Sequence, residues 1–154
     1  MAQRVALVTG ASRGIGHATA LALATAGFDV AVAARTAREG ACPDVDWHGA
    51  PRAGSLATTA GEVRACGRRA LELSLDLCER ASAERAVARV LAEWGRLDVL
   101  VNNAVHVEPA ATERVLDLDI AGYERLLVAN VVTQTRLAQL AAAGASATPR
   151  TRPP

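Results

Sequence analysis

Four apolar residues, Val5, Ala6, Leu7 and Val8, run directly into the octet Thr9, Gly10, Ala11, Ser12, Arg13, Gly14, Ile15, Gly16 and then into an alanine- and leucine-rich stretch ending near Ala26. So short and unbroken an apolar run is the pattern of a strand buried on both faces of a parallel sheet. The segment from Gly14 to Ala26 has strong helix propensity, and Gly27 stands where a helix-ending glycine belongs. Three glycines between such a strand and such a helix constrain the chain closely. Gly10 permits a tight exit from the strand, Gly14 lets the backbone approach a diphosphate, and Gly16 lets the helix pack against the sheet. The exposed amides and the positive end of the helix then attract phosphates. A glycine turn with no ligand is the competing reading, and the strand-turn-helix setting weighs against it. A P-loop is excluded because it needs a lysine after its last glycine, and all 17 basic residues of this chain are arginine.

The same rhythm continues downstream. Val30 to Ala34 reads as a second buried strand, Ser55 to Cys66 as a helix, Ala70 to Leu75 as a third strand, and Leu97 to Val101 as a fourth. Ser82 is the expected N-cap of a helix that reaches Trp94 and stops at Gly95. Ile120 to Ala143 reads as one long helix with Leu126, Leu127, Asn130, Val131 and Gln134 on its inward face. Alternating strands and helices imply right-handed crossovers and an α/β fold: a Rossmann-type, doubly wound parallel sheet in the order 3-2-1-4, truncated after about four strands. The expected organisation is a partial nucleotide-binding domain over 1–143, a surface loop over 36–54 within it, and a disordered tail over 144–154.

With 154 residues, half of them apolar, one core is expected. A formal charge of +1 with interspersed signs offers no basic stripe for nucleic acid. The most apolar stretch, Ala18 to Ala34, is broken by Gly27 and Asp29, so no membrane span is expected, and since Arg4 to Thr9 reads as a strand rather than an h-region no signal peptide is expected either. Cys42, Cys66 and Cys78 show neither paired nor metal-type spacing, which fits free thiols and a cytoplasmic protein. Cys42, Asp44, Asp46 and His48 carry ligand-type side chains, but their spacing matches no zinc framework, so the metal expectation is none. His17 reads as a surface or packing residue and His106 as a loop histidine able to face the ligand, while Trp47 and Trp94 read as packing anchors.

Cofactor choice turns on the end of the second strand, about 20 residues past the glycines, where an acid would hold the ribose hydroxyl of NAD and an arginine would accommodate the phosphate of NADP. Ala34 and Arg35 stand there, and Arg13 in the glycine turn can reach the same phosphate. Two guanidinium groups suit a dianionic oxygen cluster, so NADP(H) is expected in preference to NAD(H). The competing reading of Arg35 is a solvated surface base.

Thr9 to Gly16 resembles the threonine-glycine-x-x-x-glycine-x-glycine signature of the short-chain dehydrogenase/reductases, and further landmarks occur in the family's order. Asp76 and Leu77 resemble its adenine-ring contact, and Asn102, Asn103 and Ala104 resemble its asparagine-asparagine-alanine-glycine motif, with Val105 in place of the glycine. Asn130 matches the asparagine that holds a water in the family's proton relay. The resemblance covers about Val5 to Leu140 and implies cofactor contacts from Gly10, Ser12, Arg13, Gly14, Ile15, Gly16, Arg35, Asp76, Leu77, Asn103 and Ala104, with Asn130 as the one catalytic position present. It implies an oxidoreductase acting on small carbonyls or secondary alcohols.

The family's catalytic tyrosine, its lysine four residues later and its serine all come after the position of Asn130. Here the single tyrosine, Tyr123, precedes Asn130 and is followed four residues on by Leu127. No lysine exists to lower a tyrosine pKa, and arginine cannot act as the same compact relay. The chain alone is therefore expected to be inactive, and the shift to an Arg-, Pro- and Ala-rich tail after Gln134 suggests truncation or a frameshift in the gene of a longer enzyme. Three readings result: part of an NADP-dependent enzyme, a binding module without turnover that forms a homo-oligomer or pairs with an intact homologue, or a remnant that binds nothing.

Overall fold

The computed structural model describes residues 3–35, 54–107 and 113–146, with side chains described through residue 144. Strand β1 (Val5–Thr9) leads into helix α1 (Gly14–Thr25), then β2 (Asp29–Ala34), α2 (Leu56–Ala65), β3 (Ala70–Ser74), α3 (Arg80–Trp94) and β4 (Val99–Val101). A 3-10 turn (Val115–Asp117) precedes α4 (Ile120–Leu127), a π-helical segment (Val128–Thr133) and α5 (Gln134–Ser146). The four strands are parallel in the order β3-β2-β1-β4, as the alternation of strand and helix predicts. Val5 aligns with Asp29, and Ala6 with Val99, fixing β1 between its neighbours.

Both central strands are wholly buried because each face carries its own core. Val5 and Leu7 of β1, with Ala31 and Ala33 of β2, meet Val87 and Val90 of α3 and Leu137 of α5. The alternate residues, Ala6, Val8, Val30 and Val32, meet Ala20 and Ala24 of α1 and Ala60 and Val63 of α2. Strand residues of opposite parity thus feed opposite helix layers, which is why these strands read as continuous apolar runs.

Two buried or half-buried carboxylates fix the amino ends of the strands. Asp29, 1% exposed, accepts from Arg68 Nη2 (3.0 Å), Arg69 Nε (2.6 Å) and the Arg69 backbone amide (3.0 Å). Burial pushes its pKa up, but the Arg69 and Arg68 hydrogen bonds and the Arg69 charge outweigh this and hold it below the ordinary value. Asp98 takes the Val5 amide on Oδ2 (2.8 Å) and pairs with Arg96. Its pKa is likewise lowered, with burial opposed by Arg96, the Val5 amide and the nearby Arg4 charge.

Several expectations need correction. Ser82 is not the N-cap of α3: the helix begins at Arg80, and the Ser82 hydroxyl accepts the Asp76 amide at 2.8 Å, tying the end of β3 to the helix. The long helix is not uniform, because the π segment winds more residues into each turn and rotates the residues beyond it. Val131, within that segment, faces outward at 54% exposed, as does Leu127 just before it at 39%, while Ala129, Thr133, Leu137 and Ala141 make the buried seam. The helix runs on to Ser146 with Gly144 buried against Leu91, so Gly144 to Ser146 do not belong to a disordered tail. The rest of that expected tail, and most of the expected 36–54 loop including Trp47, Cys42, Asp44, Asp46 and His48, lie outside the described residues.

Candidate functional site

Where the carboxyl ends of the strands meet α1, an open groove of about 430 Å³ is lined by Gly10, Ser12, Arg13 and Ile15, by Ala34 and Arg35, by Leu75 to Leu77, and by Asn103 to His106. Each lining set comes after a different strand, so the parallel sheet alone brings them together. Nine of the eleven cofactor contacts implied by the resemblance line this groove: Gly10, Ser12, Arg13, Ile15, Arg35, Asp76, Leu77, Asn103 and Ala104. Gly14 and Gly16 are not in the lining but shape it from below. Asn130 stands behind the wall, not in it.

The floor of the groove is set by a close backbone approach. A β-carbon on Gly16 would lie 2.3 Å from the Gly10 carbonyl oxygen and 2.5 Å from Asn103 Nδ2. Gly14, at φ +56°, has nothing within 4 Å of that position, so the outer edge of the turn is open. Helix α1 has no side-chain N-cap bond, whereas Ser55 caps α2 and Asp119 caps α4. Its first amides are therefore not taken by a capping side chain on the groove side.

One wall is fixed to β1 by neutral hydrogen bonds. The Thr9 hydroxyl donates to Val101 O (3.1 Å) and accepts the amides of Asn103 and Ala104 (3.0 Å each). Asn103 Nδ2 donates back to Thr9 O (2.9 Å). From the helix side, Asn130 Nδ2 donates to His106 O and its Oδ1 accepts the His106 amide, both at 2.8 Å. Gln134 Nε2 donates to Ala104 O (2.9 Å). The amide of Asn130 is thus occupied by backbone, and its position in the π segment serves to brace the wall from Ala104 to His106.

The opposite side is braced by α2. Arg13 Nη2 donates to Gly54 O (3.4 Å), and Thr59 Oγ1 donates to Ala11 O (2.8 Å). His17 lies 3.0 Å from Thr59 Oγ1 through Nδ1 and 3.3 Å from Glu62 through Nε2, joining α1 to α2. Asp76 Oδ1 accepts the Cys78 amide (2.9 Å), which fixes the turn after β3. Trp94 packs against the core, with the Arg69 guanidinium 5.3 Å from its ring. Tyr123, 40% exposed on α4, does not line the groove.

Sequence reading missed Thr9 as the hub of the wall, the bracing by Gln134, and Gly54. Thr9 carried a usable signal, since a hydroxyl residue ending a wholly buried strand must find partners for its polar group. Gln134 and Gly54 had none, because their contacts are 30 and 41 residues distant in the chain. No group of three or more metal-ligating side chains occurs among the described residues, and no helix there is long and apolar enough to cross a membrane.

Known proteins share this arrangement. The sequence model of the family described as enoyl-(acyl carrier protein) reductase matches residues 10–149. Cyclohexanol dehydrogenase of Rhodococcus sp. (strain TK6) is 42% identical over 107 residues, covering 66% of this chain and 36% of that protein. Sorbitol dehydrogenase of Cereibacter sphaeroides is 34% identical over 128 residues, covering 83% of this chain and 41% of that protein. A metagenomic short-chain oxidoreductase solved in complex with NADP matches with a TM-score of 0.72 at 30% identity, over 92% of this chain and 56% of that one. This chain therefore spans about two fifths or less of the length of these curated relatives. The sheet order, the groove at its carboxyl edge and these matches agree, and the chain belongs to the short-chain dehydrogenase/reductase family of oxidoreductases.

Proposed function

We propose that this chain is the nucleotide-binding front half of an oxidoreductase that interconverts carbonyls and secondary alcohols, with NADP(H) preferred over NAD(H). The observation that carries this reading is that Arg13 and Arg35 both line the groove, with no acid directly after β2. The residues fit such a cofactor: the open backbone at Gly14 and the first amides of α1 suit a diphosphate, and Asp76 and Leu77 stand where an adenine would end. Ser12, Ile15, Asn103 and Ala104 would shape the walls, and Asn130 would hold one wall rigid through His106. When bound, the nicotinamide supplies a centre that takes or gives a hydride. With no lysine, and with Tyr123 outside the groove, this chain by itself binds without turnover.

Titration of the purified chain with NADPH, followed by cofactor fluorescence, should give a saturable signal. Arg35→Asp should weaken NADP binding by about a hundredfold, because a charge-assisted contact is lost and a carboxylate is set against the phosphate, and should strengthen NAD binding, since an acid there can accept from the ribose hydroxyl. Equal NADP affinity in the two proteins would remove the basis for the preference. Substrate-dependent oxidation of NADPH by the 154-residue chain would contradict the inactivity.

A further inference from the structure

Gly54 sits immediately before α2, yet its backbone is pressed against the glycine turn 41 residues earlier in the chain. Its φ of +115° is a conformation that side-chain-bearing residues rarely adopt, and a β-carbon there would lie 2.5 Å from Ser12 O and 3.0 Å from Arg13 Cβ. The reason for so tight a fit is on the other side of the peptide: the Gly54 carbonyl accepts from Arg13 Nη2 at 3.4 Å. Five residues on, the fully buried Thr59 hydroxyl donates to Ala11 O at 2.8 Å, and Ser55 caps the helix between them. The start of α2 therefore grips the turn at two points, one on backbone and one on the guanidinium that lines the groove.

We propose that Gly54 is a positioning residue for cofactor selection: its carbonyl aims the Arg13 guanidinium at the phosphate-bearing end of the groove, so that the start of α2 sets the preference for NADP over NAD without touching either. The proposal rests on the cofactor reading above. An arginine side chain has several rotatable bonds, and fixing it before the ligand arrives removes part of the ordering cost of binding. Because only the NADP phosphate needs that guanidinium, a displaced Gly54 should weaken NADP while sparing NAD.

The test is a two-ligand comparison in the full chain. Gly54→Ala must move off the turn, and it should lower NADP affinity about tenfold, the scale of one charge-assisted hydrogen bond, with NAD affinity changed less than about twofold. The double variant Gly54→Ala/Arg13→Gln should bind NADP no more weakly than Arg13→Gln alone, since both act through one side chain. Equal loss for the two nucleotides, or additive losses in the double variant, would overturn the proposal. If Gly54→Ala fails to melt cooperatively, Thr59→Val takes its place. It removes the second grip while keeping the side chain's shape, and it should lower the NADP:NAD affinity ratio about threefold, a fraction of a full contact. An unchanged ratio in a folded Thr59→Val protein would also overturn it. Failure of the unsubstituted chain to bind either nucleotide would instead bring down the cofactor reading, and this proposal with it.

Discussion

At the amino ends of the strands carboxylates close onto arginines, whereas at the carboxyl ends amides and a hydroxyl close onto backbone and leave a groove between them. Asp29 and Asp98 are each satisfied by fixed partners from the chain itself, so the carboxylates at that end have their charge neutralised internally. The groove end reverses this. Its wall is knit with neutral bonds from Thr9, Asn103, Asn130 and Gln134, and its cations, Arg13 and Arg35, line open space. Rigid uncharged framing with cations lining the cavity suits an anionic ligand, since the frame puts no carboxylate against the guanidinium groups and does not repel the phosphate.

The contrast can be broken first at Gly16. A valine there must displace Gly10 or Asn103, and it should cost about 3 kcal/mol or more and abolish saturable NADPH binding. Chemical denaturation and a fluorescence titration on the same sample would check it, and retained binding would mean the floor is more pliable than drawn. At the other end, Asp29→Ala takes a buried carboxylate away from Arg68, Arg69 and the Arg69 amide and should cost about 2 kcal/mol, the scale of lost charge-assisted hydrogen bonds whose arginine partners still reach solvent. Its nucleotide affinity, measured below the melting temperature, should be unchanged, and a large change there would show that the two ends are coupled.

The mildest test is acid. Asp29 and Asp98 both have folded pKa values below the ordinary 3.8, so the unfolded chain takes up protons first as pH falls. Their contribution is complete above that value and lost as pH drops through the lowered ones. The melting temperature should therefore decline steadily below about pH 4, and Asp29→Asn should flatten the decline. A substituted chain that loses stability as steeply as the parent would place the acid sensitivity elsewhere.

Much of the fold was legible because β1 and β2 are buried on both faces and the glycine turn has few structural uses. Parity in those runs assigns each residue to a helix layer without coordinates, as Val5 and Leu7 against Ala6 and Val8 illustrate. The groove was legible for the same reason, since parallel strands deliver their carboxyl-end residues to one edge. The long helix was misread at its face partly because a π segment leaves no mark on a 3.6-residue period, and Val131 looks inward only if winding is uniform. Ser82 was misread because a serine near a helix start is as able to accept a loop amide as a helical one. Bracing contacts such as Gln134 to Ala104 join positions with no local pattern between them.

A hydroxyl can give one hydrogen and take two, and Thr9 does all three with residues of the adjoining strand's end: Val101, Asn103 and Ala104. Were β4 to slide by one residue along β1, two amides would lose their acceptor and every side chain of a three-residue strand would change face. A single oxygen thus acts as the latch of a short edge pairing, selecting one alignment among several that apolar packing alone would tolerate.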